Sequence, residues 1–324
     1  MRIPLNSPRL NPQSQSRVLW IALSLILTTA VIALLLSPRQ PRYQGKALAH
    51  YLMAFSNDGY QISSQPPYGP IGVFSPSAER TEAWEALGHF GDEVIPVFVK
   101  LASARDSTLS RSLRWLATKV PRLNLRFPTA GEKRSQAVSA FIRLGSRGAP
   151  ALPQLLPLLE DQSTARAAIF SLAFIEPEGD VHVFALTNVL WRFDQSVLKI
   201  DAMAALATVG RRASRAAPVL RDCLKSTNDQ VSAMAAVALS RIGEKTPEAA
   251  ALIAGRLSSA SRARGYVAPP LEMYLWALGE FGPLANNALP IIAGFTNNAS
   301  GRVREIAEAA IRRIEGAVEP NAPP

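Results

Sequence analysis

Ala202-Met-Ala-Ala205-Leu-Ala-Thr-Val209-Gly210 is the stretch on which the fold turns. Its two alanines are three apart, and Val209 follows the second by four. All three therefore fall on one face of a helix. Alanine is the strongest helix former, and its small side chain lets a neighbouring helix come close. The glycine is expected to end the helix in a left-handed conformation.

The phrase Ala-x-x-Ala-Φ-x-x-Φ-Gly, with Φ apolar, recurs along the chain. It appears at Ala83 to Gly91, Ala137 to Gly145, Ala235 to Gly243 and Tyr274 to Gly282. Looser copies run from Ala168 to Glu176 and from Ala307 to Glu315. Measured at the second small residue, successive copies are 54, 31, 34, 33, 39 and 33 residues apart. Asp161-Gln-Ser, Asp194-Gln-Ser and Asp229-Gln-Val open three of these helices. Aspartate is a good N-cap, so capping accounts for the three acids; an acidic ridge along one edge is the rival reading. A proline falls eight residues after the glycine at Pro153, Pro218 and Pro290, where it suits the first turn of a second helix.

Each unit thus reads as helix, glycine turn, helix. One pair cannot bury its apolar face alone, so the pairs must stack. The repeats resemble the HEAT-repeat family of armadillo-like α-solenoids over residues 79–316. The long first step leaves room for an extra helix at about 106–120. The step of 39 holds an insertion, Ser258 to Gly265.

Upstream, residues 18–36 form an uncharged apolar run long enough to cross a bilayer. A retained anchor is favoured over a cleaved signal peptide, because the run is too long for a signal core and no small-residue site follows it. Arg2, Arg9 and Arg17 on one flank balance Arg39, Arg42 and Lys46 on the other. A cytoplasmic N-terminus with an exported, periplasmic solenoid is expected, since the short tail can stay behind. Tyr43-Gln-Gly-Lys-Ala-Leu resembles a short helix that precedes the solenoid in membrane-anchored bacterial HEAT-repeat proteins. The expected organisation is all-α: a polar tail (1–16), a transmembrane helix (17–37), a short helix with a Pro-rich linker (38–78), an α-solenoid of HEAT-like helix pairs (79–316) and a flexible tail (317–324).

The 324 residues carry a net charge of +10, which first suggests a polyanion partner. Its distribution argues otherwise. Residues 1–75 supply half of it, around the apolar run. Residues 99–148 carry +9, and the rest of 76–324 carries −4. Nucleic acid is therefore not expected. A local anion-binding region is the candidate, formed by Arg105, Arg111, Arg114, Lys119, Arg122, Arg126, Lys133 and Arg134, with anionic lipid as its ligand.

Little points to catalysis. His50, His89 and His182 are scattered, and a single cysteine, Cys223, excludes an internal disulfide framework. Gly243-Glu-Lys-Thr246 and Gly131-Glu-Lys-Arg134 lack the leading glycine of a phosphate loop. Trp84, Trp115, Trp191 and Trp276 are expected between helices. No cofactor and no metal site are expected. The reading is a non-enzymatic scaffold for protein partners, anchored to a membrane through residues 18–36. HEAT-like folds also include bilin lyases and alkyl-base DNA glycosylases, so an enzyme of that kind is the remaining alternative.

Overall fold

The computed structural model describes residues 41–56, 60–62, 71–73, 78–119, 127–175, 180–262 and 268–316. The expected transmembrane segment (17–37), both tails, Arg122 and Arg126 lie outside the described residues. Among the described residues, no helix is long and apolar enough to cross a membrane.

The chain divides into two units, residues 1–49 and 50–324. The described part of the first holds a hairpin, β1 (Arg42–Tyr43) against β2 (Lys46–Ala47). Gln44 and Gly45 both have positive φ, 48° and 76°. Two such residues in a two-residue loop match the twist of the flanking strands. The Gln-Gly pair therefore turns the chain where the sequence suggested helix, and α1 (Leu48–Met53) starts only after it.

In the second unit, residues 50–56 are held on α2 (Ala78–His89). Tyr51 meets Phe90 edge-on at 6.2 Å, Phe55 meets Trp84 at 6.3 Å, and Arg80 Nε donates to Ala54 O. The stretch expected as a turn-rich linker contains an antiparallel hairpin, β3 (Tyr60–Ile62) with β4 (Ile71–Val73).

The rest is a solenoid of helices in two rows. The first row holds α5 (Ala130–Leu144), α7 (Gln162–Phe174), α9 (Ser196–Val209), α11 (Asp229–Arg241), α13 (Ala268–Phe281) and α15 (Gly301–Ile314). Each packs on the next in that order, and β3 and β4 lie against α5 and α9. The second row holds α6 (Leu152–Leu155), α8 (Val181–Arg192), α10 (Ala217–Leu224), α12 (Pro247–Arg262) and α14 (Leu289–Ala293). Two further helices, α3 (Ile95–Ala102) and α4 (Thr108–Lys119), precede α5. The second matches the extra helix expected in the long step.

The first row carries the repeated phrase, and its small residues make the contacts. Ala86, Ala140, Ala205, Ala238 and Ala277 have no exposed surface. A Cβ added at Gly279 would lie 3.0 Å from the Ala310 backbone, so α13 and α15 meet almost backbone to backbone.

The glycines do end these helices, but with a different geometry from the one expected. Gly145 and Gly210 have φ of 56° and 68° with ψ of −131° and −140°. That is mirror-image extended backbone rather than left-handed helix, and only glycine adopts it freely. Gly91 is ordinary extended chain, with φ of −77°. After Gly145, Gly210 and Gly282 come seven-residue 3₁₀ segments, Gly145–Ala151, Gly210–Ala216 and Gly282–Ala288. Their buried residues sit three apart: Gly148 and Ala151, Ala213 and Ala216, Ala285 and Ala288. That is the 3₁₀ period. The expected prolines then enter the first turn of α6, α10 and α14.

Two substitutions test this packing. Ala205→Leu should lower unfolding free energy by ~1–3 kcal/mol in urea melts, because the site is full. Ala251→Leu, on an exposed position of α12, should change it little. Ser171 replaces the second alanine in α7, is fully buried, and its hydroxyl has no hydrogen-bond partner. Ser171→Ala should therefore stabilise by ~1 kcal/mol.

Candidate functional site

The basic region lies on α4, α5 and the turns between α3 and α4. Much of its charge is spent inside the fold. Arg105 pairs with Asp161 at 2.5 Å, and Arg114 with Asp106 at 2.8 Å. Asp106 also accepts the Ala130 N–H, which ties the start of α4 to the start of α5. Its carboxyl lies below the usual range: burial opposes ionisation, but Arg114, the Ala130 N–H and Arg134 outweigh it. Arg134 donates to Ala104 O at 2.6 Å. Arg143 donates to Trp84 O at 2.8 Å and lies over that indole, and Arg147 reaches Phe90 O and Asp92. These arginines clamp α5 and the turn after it onto the preceding repeat. Arg111 is exposed and Lys133 half-buried, and neither makes an ion pair among the described residues. The side chain of Lys119 lies outside the description, as do Arg122 and Arg126.

Two apolar faces stand free of the core. On α4, Leu109 is 68% and Trp115 63% exposed. No residue of α4 whose burial is described is buried. On α8, Phe184 is 68% and Trp191 65% exposed, beside a shallow groove of about 200 Å³ that reaches Leu156 and Leu159. Trp115 and Trp191 thus depart from the expected inter-helix role. Trp276 meets it, being buried beneath Arg241. Helical spacing placed all of these residues on helices. It could not say which face of an outer helix would lack a neighbour.

The repeated aspartates differ in role. Asp161 caps α7 by accepting the Ser163 N–H at 2.7 Å, and the Ser163 hydroxyl and N–H together hold its carboxyl low. At α11 the cap is Asn228, one residue earlier, which accepts from the Gln230 and Val231 N–H groups. Asp229 is then free to pair with Arg256 at 3.0 Å. At α9 the cap position falls on Gln195, which makes no side-chain cap. Two of the three acids are therefore not caps, although each sits at a helix start.

Among the described residues no group of three or more His, Cys, Asp and Glu could hold a metal ion. His182 is buried, while His50 and His89 are exposed. Cys223 is half-buried, and burial pushes its thiol up. The most perturbed carboxyl is Asp201 on α9, which is 1% exposed. Arg166 on α7 approaches its Oδ2 at 3.0 Å, yet that oxygen accepts no well-aligned hydrogen bond. Burial pushes the Asp201 carboxyl up to about 6, against the pull of Arg166. The pair bridges two repeats, so it bears on stability.

No family model and no curated protein matches the chain. Its structure is similar to two engineered proteins from a structural genomics consortium, with TM-scores of 0.41 and 0.44 and identities of 22% and 21%. These similarities cover 74% and 70% of this chain and 76% and 98% of theirs. It is also similar to a designed armadillo repeat protein in complex with the peptide (KR)4, with a TM-score of 0.42 and 16% identity over 68% of this chain and 99% of that one. The repeat architecture itself rests on the stacked rows described above.

Asp201 gives a pH signature. The unfolded carboxyl loses its proton near 3.8, and the folded one keeps it until about 6. Over that window the folded state binds more protons, so stability falls as pH rises and levels off above it. The decline should be at most ~3 kcal/mol, and Asp201→Asn should abolish it. Urea melts at both ends of the window check this. A decline that persists in the variant belongs to another group.

Proposed function

We propose that the protein is a non-enzymatic scaffold, anchored to a membrane by residues 18–36, that binds protein partners along its solenoid. The observation that carries the reading is the exposed apolar face of α8. Phe184 and Trp191 are seven apart, two turns along one helical face, and the groove of Leu156 and Leu159 runs beside them. Large aromatics held on a rigid helix and rimmed by charge are the usual anchors of a protein interface. Here the rim is Glu160 with Arg192, which pair with each other. Stacked repeats present such faces over a long surface.

The anchor is read from the sequence, an uncharged run of bilayer length, and the proposal puts the solenoid on the exported side. A topology reporter fused after Pro324 tests the sidedness and should report export. Photo-crosslinking from positions beside Phe184, in membranes, should trap a defined protein partner. Phe184→Ser with Trp191→Ser should abolish the crosslink without changing the melting midpoint, since neither ring supports the core. An unchanged crosslink would remove α8 as the interface.

One observation favours a second reading, in which α4 docks on anionic lipid. Its exposed Trp115 and Arg111 line one shallow pocket, and Leu109 is exposed on the same helix, as on a helix lying in a membrane surface. In a chain begun at Pro38, Arg111→Gln should weaken binding to anionic vesicles by about 1 kcal/mol, and Trp115→Ser should weaken it further. Vesicle binding that neither change affects would exclude this role.

A further inference from the structure

A pocket of about 490 Å³ opens where three successive repeats meet, at the ends of α9, α11 and α13. It is lined by three cations, Arg211, Arg241 and Lys245, by Ser214 and Ser240, and by one acid, Glu280. The acids near these cations are engaged elsewhere. Glu280 pairs with Arg313 at 3.0 Å, and Glu244 with Arg221 at 2.9 Å. Among the described residues Arg211, Arg241 and Lys245 make no ion pair, and Arg211 and Lys245 are exposed.

Arg241 is the informative residue. Its guanidinium lies over the Trp276 ring, 4.9 Å from the centroid, which fixes the plane of the fork. Its Nε and Nη2 are buried and have no hydrogen-bond partner. Those two atoms form one edge of the fork, and no ligand oxygen reaches that buried edge; what Arg241 brings to the pocket wall is its unpaired positive charge. Cations in the last turn of a helix are ordinarily held by its free carbonyls. Arg241 ends α11, yet this edge reaches none. An unsatisfied buried donor pair costs stability, and a native fold keeps one only with a reason.

We propose that this pocket is an oxyanion site. The exposed Arg211 and Lys245 donate to the oxygens of a carboxylate or phosphate, and the Arg241 guanidinium in the pocket wall adds positive charge. The pocket is much larger than one such group, so it has room for the chain that carries it. The source is an acidic segment of a partner protein. That part rests on the scaffold reading; the oxyanion chemistry does not.

The test uses the full chain in detergent with two probes, inorganic phosphate followed by calorimetry and a fluorescent hexaglutamate peptide followed by anisotropy. Saturable binding in the millimolar range or tighter is expected. Arg211→Gln with Lys245→Gln should weaken it about tenfold or more, and both side chains are exposed, so the fold should be intact. The same charge loss at Lys100 on α3 and Arg192 on α8, exposed positions outside the pocket lining, should change binding little. Arg241→Gln removes the charge from the pocket wall and should also weaken binding. Glu280→Gln should tighten it. Phosphate binding with these mutational effects but no peptide binding supports the oxyanion site with a free ion as its source, and would remove the acidic partner. No binding of either probe, or equal losses from the pocket and the control pair, would overturn the proposal.

Discussion

The close approach of the first-row helices through their alanine faces sets everything else in this structure. At Gly279 and Ala310 the two backbones come within reach of a single Cβ. At that crossing there is no room for a side chain larger than alanine. Helices inside the first row are consequently buried on most of their circumference: nine of the thirteen residues of α7 and ten of the thirteen of α11 are buried. A helix buried so fully cannot carry charge in its middle. The polar ties between repeats are therefore pushed to the edges, where helices begin and end. Asn228 caps α11 and reaches across to Ser196 at the start of α9. Arg256 gathers the Ser226 carbonyl, Ser232 and Asp229 at the start of α11. Two acids are exceptions inside the row, Asp201 on α9 and Glu272 on α13, each paired with an arginine of a neighbouring repeat, Arg166 and Arg302. The raised carboxyl of Asp201 is the physical sign of the cost.

A second regularity has a period of two repeats. After α5, α9 and α13 the chain takes a glycine with positive φ, a 3₁₀ segment and a short helix entered by proline. After α7 and α11 it passes instead to the longer helices α8 and α12. The 3₁₀ segment needs small residues at every third position, because its turns are eclipsed and two of its residues face the core. Gly148 shows how tight the fit is, with an added Cβ only 3.1 Å from Ile175 and 3.2 Å from Phe141. The alternation also decides which outer helices are long enough to show a face of their own. Among the second-row helices, α8 is one of the two longer ones, and it carries the exposed aromatics.

Much of this was legible in the sequence, for a physical reason. The alanine phrase encodes a local periodicity, and local periodicity survives in one dimension. The stacked helices, the early-turn prolines and the extra helix before α5 all follow from it. The Gln44-Gly45 turn had a local signal too, since glycine after a polar residue favours a two-residue loop, but the helical resemblance of the following residues overrode it. The 3₁₀ segments were readable in principle from small residues at Gly148 and Ala151 and at Ala213 and Ala216. What no local pattern carries is the identity of a partner from another repeat. Asp229 and Asp161 open helices in the same way in sequence. One caps and the other does not, because Asn228 stands before Asp229 and Arg256 lies opposite it.

The same limit explains the basic region. Charge counted along the chain takes each arginine as a free cation, but an arginine at a repeat boundary has the previous repeat's carbonyls and carboxylates within reach. Arg134, Arg143 and Arg147 each span that boundary to a backbone oxygen. Guanidinium suits the work, since its planar donors meet several oxygens at once and its long stem packs on apolar surface. A basic stretch in a solenoid thus reports, first, how many seams the arginines close. The cations that remain informative about ligands are those the seams leave unsatisfied. By that criterion the weight moves from residues 99–148 to the junction of α9, α11 and α13. There Arg241 is stacked on Trp276 with one edge of its guanidinium unmatched. Charge density along the chain marks one end of the solenoid, and an unsatisfied donor pair, visible only in three dimensions, marks another place.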